Sequence, residues 1–305
     1  MLEQRRIWVE GELRPWADVT VHVMSQSLQR GTLVFDFMPI YATALGPRVL
    51  GLREHVERFV RSAALNEMPL HWDAPQLVAA VRACARANPG SEVIKISGYF
   101  AGASLDVLPV EEFATVAIAA LAKRDLHPEY LDRVMEPARL QIAVPPKLPP
   151  SVLSPQMKIA ASYTHAVSAK RAALRAGCHD LLFLDQRGNL AESSTASFFL
   201  VIDGAACSAP LDTVLEGVTR RAVIEIARAE GIPVRETELP AAWLGRAAEA
   251  FLTGSSVEIW PIEQIGDTRL PAPVPGPVTA RLRARYERMV KGQDPELSPR
   301  WMQEV

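Results

Sequence analysis

The sequence predicts a two-domain protein of the α+β class. Its 305 residues are enough to bury a large core, and chains of this length usually divide into two domains. Short strand-like and helical patterns fill both halves, and between residues 122 and 132 charged and polar residues replace the apolar periodicity. We therefore predict a small α+β domain over residues 1–121, a linker over 122–132 and a larger second domain over 133–305.

The first domain begins with strand patterns and continues with two helices. Residues alternate around a central glycine in Ile7–Leu13, which predicts a hairpin, and Val19–Met24 alternates again. Apolar residues at helical spacing predict a helix over Arg53–Leu65, and a second helix over Pro75–Ala87 has proline near its start and Asn-Pro-Gly after its end. Two later segments are strand-like: Glu92–Phe100 and Ala114–Leu121.

The second domain contains strands on both sides of a helix. The domain begins with the run Leu140–Val144 and continues into Pro145–Pro150, which is too rich in proline for a helix or a central strand. A helix over Ser162–Ala176 is closed by a glycine. The remaining predicted elements are a strand over Leu181–Leu184, a strand-like segment over Asn189–Leu200 after a turn, and a helix over Thr219–Glu230.

Composition excludes several classes of function. The net charge of −2 gives no basic surface for nucleic acid or an anionic membrane. Three cysteines, odd in number and without metal-ligand spacing, argue against a disulfide or zinc framework and for a reducing compartment. The first residues lack the apolar core of a signal peptide, and no stretch approaches the length of a membrane span. We expect a cytoplasmic enzyme with no metal.

The residues around Lys158 predict the chemistry. Lys158 is one of only six lysines, and it lies between a proline-rich stretch and a helical pattern. Tyr163 follows five residues later, and Glu192 lies on a strand-like segment among small hydroxylic residues. A lysine amine can form a Schiff base with pyridoxal phosphate, and a carboxylate can pair with the ring nitrogen and keep the ring an electron sink. This order of residues fits a pyridoxal phosphate site.

Each of these residues also has an ordinary structural explanation. A single lysine is usually an exposed loop residue, and Glu192 alone would more often be a solvent-facing strand residue. Tyr163 could be a core or interface aromatic, and Thr219 could simply cap a helix. Only the order and spacing of the set favour catalysis.

Several ordered motifs resemble the class IV aminotransferases, the fold-type IV pyridoxal phosphate family. The central motif joins Lys158-Ile-Ala-Ala-Ser-Tyr163 to the strand that carries Glu192. Four further segments resemble the first pocket segment, the phosphate-arginine helix, the phosphate-binding turn and the last active-site loop of that family: Val21–Phe35, Leu52–Phe59, Leu215–Arg220 and Ala250–Ile262. The family includes branched-chain and D-amino acid aminotransferases, (R)-selective amine transaminases and aminodeoxychorismate lyase.

The resemblance implies a role for each matching residue. It implies a pseudo-barrel second domain, a homodimer, and Lys158 as the catalytic lysine that binds pyridoxal 5′-phosphate. Tyr163 would bind the ring hydroxyl and Glu192 the ring nitrogen. The implied phosphate ligands are Arg58, the N–H groups of Val218 and Thr219, the Thr219 hydroxyl, and Ser255. The implied substrate contacts are Arg30, Phe35, Lys95 and Ser256.

Three classes of function stay open at this stage: an aminotransferase, a lyase and a non-catalytic binding protein. An aminotransferase most like the branched-chain enzymes, working by a ping-pong mechanism between an amino acid or amine and a 2-oxo acid, is the leading hypothesis. A D-amino acid or (R)-amine transaminase is an alternative, but the loop after the strand at 92–100 has neither the arginine nor the histidine of the D-amino acid enzymes. A lyase like aminodeoxychorismate lyase, or a non-catalytic binding relative, is a further alternative.

The match to the L-branched-chain enzymes is also imperfect in the pocket. Arg30 stands where a tyrosine is common, and Phe37, Val93 and Lys95 replace a small residue, an aromatic and an arginine. We predict that Arg30 binds a substrate carboxylate, because a cation in a low-dielectric cleft attracts an anion. The alternative is that Arg30 pairs internally with Asp36 or with an acid of a partner subunit.

Overall fold

The computed structural model describes residues 2–125 and 136–305, and it divides into two compact units. Residues 2–125, 157–161 and 290–305 form the first unit, and residues 136–156 and 162–289 form the second. The sequence had placed 157–161 and 290–305 in the second domain. Most of the predicted linker, residues 126–132, lies outside the described residues.

A seven-stranded sheet organises the first unit. Its strands are β1 (Arg6–Val9), β2 (Glu12–Pro15), β3 (Val34–Thr43), β4 (Gly46–Leu50), β5 (Val93–Tyr99), β6 (Thr115–Leu121) and β16 (Met302–Glu304). Their order is β16-β4-β3-β5-β6-β1-β2, and all neighbouring pairs are antiparallel. The C-terminal strand β16 belongs here because it pairs with β4, Met302 opposite Leu50.

The described residues of this unit also include four α-helices. They are α1 (Gln26–Arg30), α2 (Leu52–Leu65), α3 (Ala74–Ala87) and α7 (Ser298–Trp301), and short 3₁₀ turns cover Leu2–Gln4, Trp16–Asp18 and Lys123–Asp125. Asp73 caps α3 with a capping box, in which its carboxylate accepts from the Gln76 N–H and the Gln76 side chain accepts from the Asp73 N–H. Buried apolar residues at helical spacing, such as Val56 and Phe59, pack α2 onto the sheet.

One strand predicted in this unit is wrong. Val19–Met24 forms no strand; its backbone turns at His22, whose carbonyl accepts from the Ser25 N–H at 2.9 Å. Val21 and Val23 are exposed, so the alternation there has no sheet neighbour to pack against. The hairpin, both helices and the strands β5 and β6 agree with the sequence to within two residues.

A nine-stranded sheet organises the second unit. Its strands are β7 (Ala138–Ile142), β8 (Asp180–Leu184), β9 (Leu190–Ser193), β10 (Ser197–Ile202), β11 (Ala205–Ser208), β12 (Val234–Glu236), β13 (Glu249–Gly254), β14 (Glu258–Ile265) and β15 (Thr268–Arg269). Because β9 pairs with both β8 and β10, the strands β10-β13-β14-β7-β8-β9 close into a ring, which confirms the barrel-like sheet. The segment predicted as one strand over Asn189–Leu200 is two strands with a turn between them.

One face of this sheet encloses the apolar core of the unit. Phe198, Leu200, Leu252 and Trp260 all lie there and are almost fully buried. The helices are α4 (Ala160–Arg175), whose first two residues belong to the first unit, α5 (Val218–Ala229) and α6 (Pro277–Val290), with a 3₁₀ turn over Ala241–Arg246. Among the described residues, none of the helices combines the length and the apolar character needed to cross a membrane.

Candidate active site

Backbone hydrogen bonds to the first unit hold Lys158 in place. Its N–H donates to the Ser62 Oγ at 3.0 Å, and its carbonyl accepts from the Phe35 N–H at 3.1 Å. The next residues continue along the same stretch, because the Ala160 N–H donates to the Leu33 carbonyl at 2.8 Å. The short segment 157–161 therefore lies beside the start of β3, which explains why it clusters with the first unit.

Two lysines lie over the ring of Phe35. The Lys158 Nζ is 4.9 Å from the ring centroid, and the Lys95 Nζ is 5.0 Å from it. Lys95 reaches this ring from β5, where it lies opposite Phe37. Desolvation lowers the pKa of Lys95, and the positive charge of Lys158 lowers it further. The predicted residues Lys158, Phe35 and Lys95 thus come together in the first unit.

A buried ionic cluster lies on the neighbouring residues of β3 and α2. The Arg58 Nε donates to one carboxylate oxygen of Asp36 and an Nη to the other, both at 2.8 Å, in a fork. The His55 Nδ1 lies 2.7 Å from the Asp36 Oδ1. Asp36 and His55 are fully buried and Arg58 is 5% exposed. The arginine expected to bind phosphate is therefore oriented by its own carboxylate.

The protonation states in this cluster follow from its charges. Burial alone would raise the pKa of Asp36, but the positive charge of Arg58 and the hydrogen bonds from His55 and Arg58 outweigh burial, so the pKa lies well below its usual value. Desolvation lowers the pKa of His55 despite its contact with Asp36, and the charges of Arg58 and Lys158 add to that effect. Asp36 is therefore an anion and His55 a neutral donor at neutral pH.

Arg30 is not paired with Asp36. It ends α1 as an exposed residue, and its guanidinium donates to the Leu105 carbonyl at 2.9 Å. The internal pairing with Asp36 that the sequence offered as an alternative is thus wrong, because His55 and Arg58 already occupy that carboxylate.

In the second unit, Glu192 has a partner that the sequence did not predict. Its Oε1 lies 3.2 Å from the Lys147 Nζ, and both side chains are about one-sixth exposed, at 16% and 17%. Its Oε2 accepts from the Leu215 N–H at 3.4 Å. Lys147 lies in the proline-rich stretch, whose backbone is tied to β8 by the bond from the Lys147 N–H to the Leu184 carbonyl at 2.8 Å.

Gln156 connects the segment that precedes Lys158 to the loop before α5. Its Nε2 donates to the carbonyls of Leu211 and Val214, the latter at 2.7 Å, and its Oε1 accepts from the Glu216 N–H at 3.1 Å. These bonds order the residues that lead into α5. Neither Lys147 nor Gln156 stood out in the sequence, since each depends on partners far away in the chain.

The start of α5 contains a buried hydroxyl without a partner. Val218 and Thr219 are the first two residues of the helix, and Gly217 caps it without a side-chain hydrogen bond. Thr219 is 1% exposed, and its Oγ1 has no hydrogen-bond partner among the described residues. A Cβ on Gly217 would lie 2.7 Å from the Ser197 Oγ, so any other residue there would have to displace the Ser197 side chain.

The other predicted residues of this unit lie on α4 and in the turn between β13 and β14. Tyr163 is half-buried on α4. Ser255 and Ser256 form the turn between β13 and β14, where the Val257 N–H donates to the Gly254 carbonyl at 3.2 Å. The second unit thus contains the carboxylate, the tyrosine and the hydroxylic residues of the predicted set, while the first unit contains Lys158, Lys95, Phe35 and Arg58.

These residues fit pyridoxal phosphate. A phosphate would satisfy the orphaned Thr219 hydroxyl and would accept from the N–H groups at the positive end of α5. Lys158 supplies an amine and Glu192 an anion held by Lys147. An amine, a carboxylate and a helix end with free N–H groups are the kinds of group that pyridoxal phosphate enzymes use.

Comparison with known proteins agrees with this chemistry. Residues 33–265 match the family described as Amino-transferase class IV. A branched-chain-amino-acid aminotransferase of Salmonella typhimurium is 30% identical over 291 residues, which cover 94% of this chain and 93% of the relative. The chain therefore belongs to the class IV aminotransferases.

Solved structures agree over nearly the full length. The branched-chain aminotransferase of the archaeon Thermoproteus uzoniensis, solved with norvaline, has a TM-score of 0.90 and 30% identity, covering 98% of both chains. The branched-chain amino acid aminotransferase of Thermobaculum terrenum, solved in its PLP-form, has a TM-score of 0.89 and 26% identity, covering 99% of both chains. The protein has the fold of these enzymes and is a pyridoxal 5′-phosphate-dependent aminotransferase.

Proposed function

We propose that this aminotransferase uses an L-amino acid with an apolar, branched side chain as donor and a 2-oxo acid as acceptor. The observation that carries the proposal is the Phe35 ring with the Lys158 and Lys95 ammonium groups at 4.9 and 5.0 Å. An apolar surface flanked by an amine and a second cation suits an α-carboxylate beside an apolar side chain. The similarity to enzymes named branched-chain aminotransferases supports the same donor.

Lys158 is the catalytic residue in this proposal. When bound, pyridoxal phosphate supplies an aldehyde that accepts the amino group and a ring that takes up electrons. The Lys158 amine would hold the cofactor through its aldehyde carbon and, when free, would accept or return a proton at the substrate carbon. One amine performs both tasks, and the bonds from its backbone to Ser62 and Phe35 fix where it starts.

The remaining cofactor contacts divide by chemistry. Glu192 holds a proton at the ring nitrogen, and Tyr163 donates to the ring hydroxyl oxygen. The phosphate ligands are Arg58, Ser255, the N–H groups of Val218 and Thr219, and the Thr219 hydroxyl. Support for Arg58 lies in its fork to Asp36, which fixes the guanidinium plane.

The proposed substrate contacts are Lys95, Phe35, Ser256 and Arg30. Lys95 would bind a carboxylate, because its lowered pKa reflects a partly desolvated cation that an anion would stabilise. Arg30 would meet a carboxylate of one of the two substrates, and its bond to the Leu105 carbonyl shows that its side chain lies along the 103–110 loop.

A donor screen tests the proposal. We expect L-leucine, L-valine and L-isoleucine to be used with 2-oxoglutarate, and D-alanine and (R)-1-phenylethylamine to be poor donors. Lys95→Met should raise the Michaelis constant for 2-oxoglutarate by about tenfold, which is the effect expected from losing one charge-assisted hydrogen bond. Efficient use of D-alanine or the amine, with no activity toward L-leucine, would instead support a D-amino acid or (R)-amine transaminase. The observation that favours this alternative is that Arg30 and Lys95 replace the tyrosine and the arginine common in the branched-chain enzymes.

A lyase of the aminodeoxychorismate type would behave differently. It would release product without forming the amino form of the cofactor from an amino acid alone. Incubating the loaded enzyme with L-leucine and no oxo acid therefore separates the two, since a transaminase converts the cofactor stoichiometrically.

We also propose a homodimer whose contacts include the 103–110 loop. Four apolar side chains there are mostly exposed, Leu105 at 84% and Val107, Leu108 and Val110 at 69–70%. The loop is ordered on α1, because the Gln26 Nε2 donates to the Val107 carbonyl at 2.7 Å. Leu105→Asp should yield a monomer by size-exclusion chromatography with light scattering, whereas a wild-type chain that is monomeric would contradict the proposal.

A cytoplasmic location is the last element of the proposed function. Its support is the state of the cysteines, since Cys84, Cys178 and Cys207 are all free, and two of them are buried.

A further inference from the structure

A row of polar side chains crosses the barrel sheet from Glu192. Glu192 lies opposite Ser197 in the pairing of β9 with β10, and Ser197 lies opposite Thr253 in the pairing of β10 with β13. Residues directly opposite in an antiparallel pair point to the same face of the sheet. Glu192, Ser197 and Thr253 therefore share one face, opposite to that of the core residues Phe198 and Leu252.

That face packs against the start of α5. A Cβ added to Gly217, the residue that caps α5, would lie 2.7 Å from the Ser197 Oγ and 3.2 Å from the Arg220 Cβ. The helix also contacts β13, the strand that carries Thr253. Thr253 lies opposite Ser197 and therefore on the same face of the sheet.

Two buried hydroxyls without partners occur at this place. Thr219 and Thr253 are each 1% exposed, and neither Oγ1 has a hydrogen-bond partner among the described residues. Burying a hydroxyl without a hydrogen bond costs free energy, so native proteins rarely leave one unpaired. One of these hydroxyls belongs to the first turn of a 12-residue helix whose N-cap, a glycine, has no side chain to accept from the free N–H groups, and the other belongs to a strand that this helix contacts.

We propose that the Thr253 hydroxyl is a further ligand of the cofactor phosphate, acting with Thr219. The ligand class is a phosphate monoester dianion, whose oxygens can accept from both hydroxyls and from the N–H groups of α5. The inference rests on the proposed phosphate role of Thr219 and adds a residue of β13 that is separate from the Ser255 turn. Thr253 lies within the motif segment Ala250–Ile262, but the motif alone assigns it no contact.

Thr253→Val tests the proposal, with Thr279→Val as the matched control. Thr279, on α6, is also 1% exposed with an unpartnered Oγ1, so both variants exchange the same kind of buried orphan hydroxyl for a methyl group. We expect Thr253→Val to weaken pyridoxal phosphate binding by about tenfold, the effect of losing one hydrogen bond to a charged group. Thr279→Val should bind like wild type, and Thr253→Ser should restore most of the affinity.

Two measurements make the outcome decisive. The first is the dissociation constant of pyridoxal phosphate for the apoenzyme, measured by quenching of tryptophan fluorescence. The second is the rise in melting temperature of the apoenzyme on adding inorganic phosphate, which should be smaller in Thr253→Val than in Thr279→Val. Equal constants and equal shifts for the two valine variants would overturn the proposal.

The measurement with inorganic phosphate also distinguishes a failure of this inference from a failure of the proposed function. A wild-type chain that phosphate stabilises through Thr253 but that does not bind pyridoxal phosphate would contradict the proposed function and support the phosphate contact. A chain that binds pyridoxal phosphate equally well with threonine or valine at 253 would support the function and reject the contact.

Discussion

The buried polar residues of the two units differ in whether other protein groups supply their hydrogen-bond partners. In the first unit, Asp36 is fully buried with His55 at 2.7 Å and Arg58 at 2.8 Å, so the charges are balanced before any ligand binds. In the second unit, the hydroxyls of Thr219 and Thr253 are buried without partners among the described residues. The first arrangement couples the cluster to folding, and on our proposal the second leaves two hydroxyls to bind the cofactor phosphate.

This difference implies that substitutions in the two units act on different quantities. Breaking the Asp36 cluster should lower the free energy of unfolding even without cofactor. Removing the Thr219 or Thr253 hydroxyl should leave the apoenzyme intact and change only the binding of a phosphate ligand. Substitution of Lys158 should affect the chemical step more than either.

The largest expected effect is that of Lys158→Ala. We expect no measurable turnover and no absorbance of lysine-bound cofactor, because no other lysine of the chain lies in a motif that could replace it. The spectrum after desalting and a leucine–2-oxoglutarate assay measure this. Lys291→Ala, an exposed lysine, is the control and should keep both properties. Retained absorbance in the Lys158 variant would show that another lysine holds the cofactor.

The next largest effect is on stability. Asp36→Asn leaves the buried Arg58 without its counter-charge, so the free energy of unfolding should fall by about 3 kcal/mol, the typical cost of breaking a buried ion pair. Urea unfolding of the apoenzyme measures it. Asp203→Asn, at an exposed pair with Arg246, should change stability by less than about 0.5 kcal/mol.

The same cluster predicts a direction for the pH dependence. The folded pKa of Asp36 lies well below its usual value, so the carboxylate contributes stability that is fully present above the unfolded pKa of about 3.9. That contribution is lost as the pH falls from there toward the folded pKa. Wild type should therefore lose stability below about pH 4 more steeply than Asp36→Asn. Parallel curves for the two proteins would contradict the ionised state of Asp36.

Glu192→Gln tests the second unit. The variant should still bind the cofactor but slow the proton-transfer half-reaction by more than about tenfold, or about 1.4 kcal/mol of barrier, because a neutral amide cannot keep the ring nitrogen protonated. Stopped-flow absorbance with L-leucine measures the rate. Glu238→Gln, whose partner is the exposed Arg187, should keep the wild-type rate. A wild-type rate in the Glu192 variant would reject the electron-sink role.

The smallest and most selective effect is expected for Arg30→Tyr. If Arg30 binds a carboxylate, the Michaelis constants for dicarboxylic and keto-acid substrates should rise by about tenfold, while those for carboxylate-free amines hold or improve. If Arg30 only anchors the 103–110 loop through the Leu105 carbonyl, the melting temperature should fall and all substrates should suffer alike. An unchanged substrate profile with lowered stability would remove Arg30 from the pocket.

Much of the fold could be predicted because its signals are local. Apolar periodicity and caps located α2, α3, α4 and α5, and alternation located β5 and β6. The strand β3 (Val34–Thr43) was not predicted, because its buried positions include Asp36 and this charged residue interrupts the apolar alternation. That charge is tolerated only through His55 and Arg58 on another element, which is tertiary information.

The site divides in the same way. Residues in motifs, such as Lys158 and Glu192, could be singled out by order and spacing. The partners that set their environment could not, because Lys147, Asp36 and Thr253 gain meaning only from neighbours distant in sequence. The wrong prediction of a strand at Val19–Met24 also reflects missing tertiary information, because an alternating segment forms a strand only where another strand pairs with it.

Borohydride reduction of the loaded wild-type enzyme, followed by peptide mass mapping, tests the central claim most directly. Reduction makes the bond between cofactor and lysine permanent, so the labelled peptide identifies the lysine. We predict a phosphopyridoxyl group on Lys158 alone, with none on Lys95 or Lys147, the two lysines that contact other site residues. A label on Lys95 or Lys147, or no label on a pigmented enzyme, would contradict the assignment of Lys158 as the catalytic lysine.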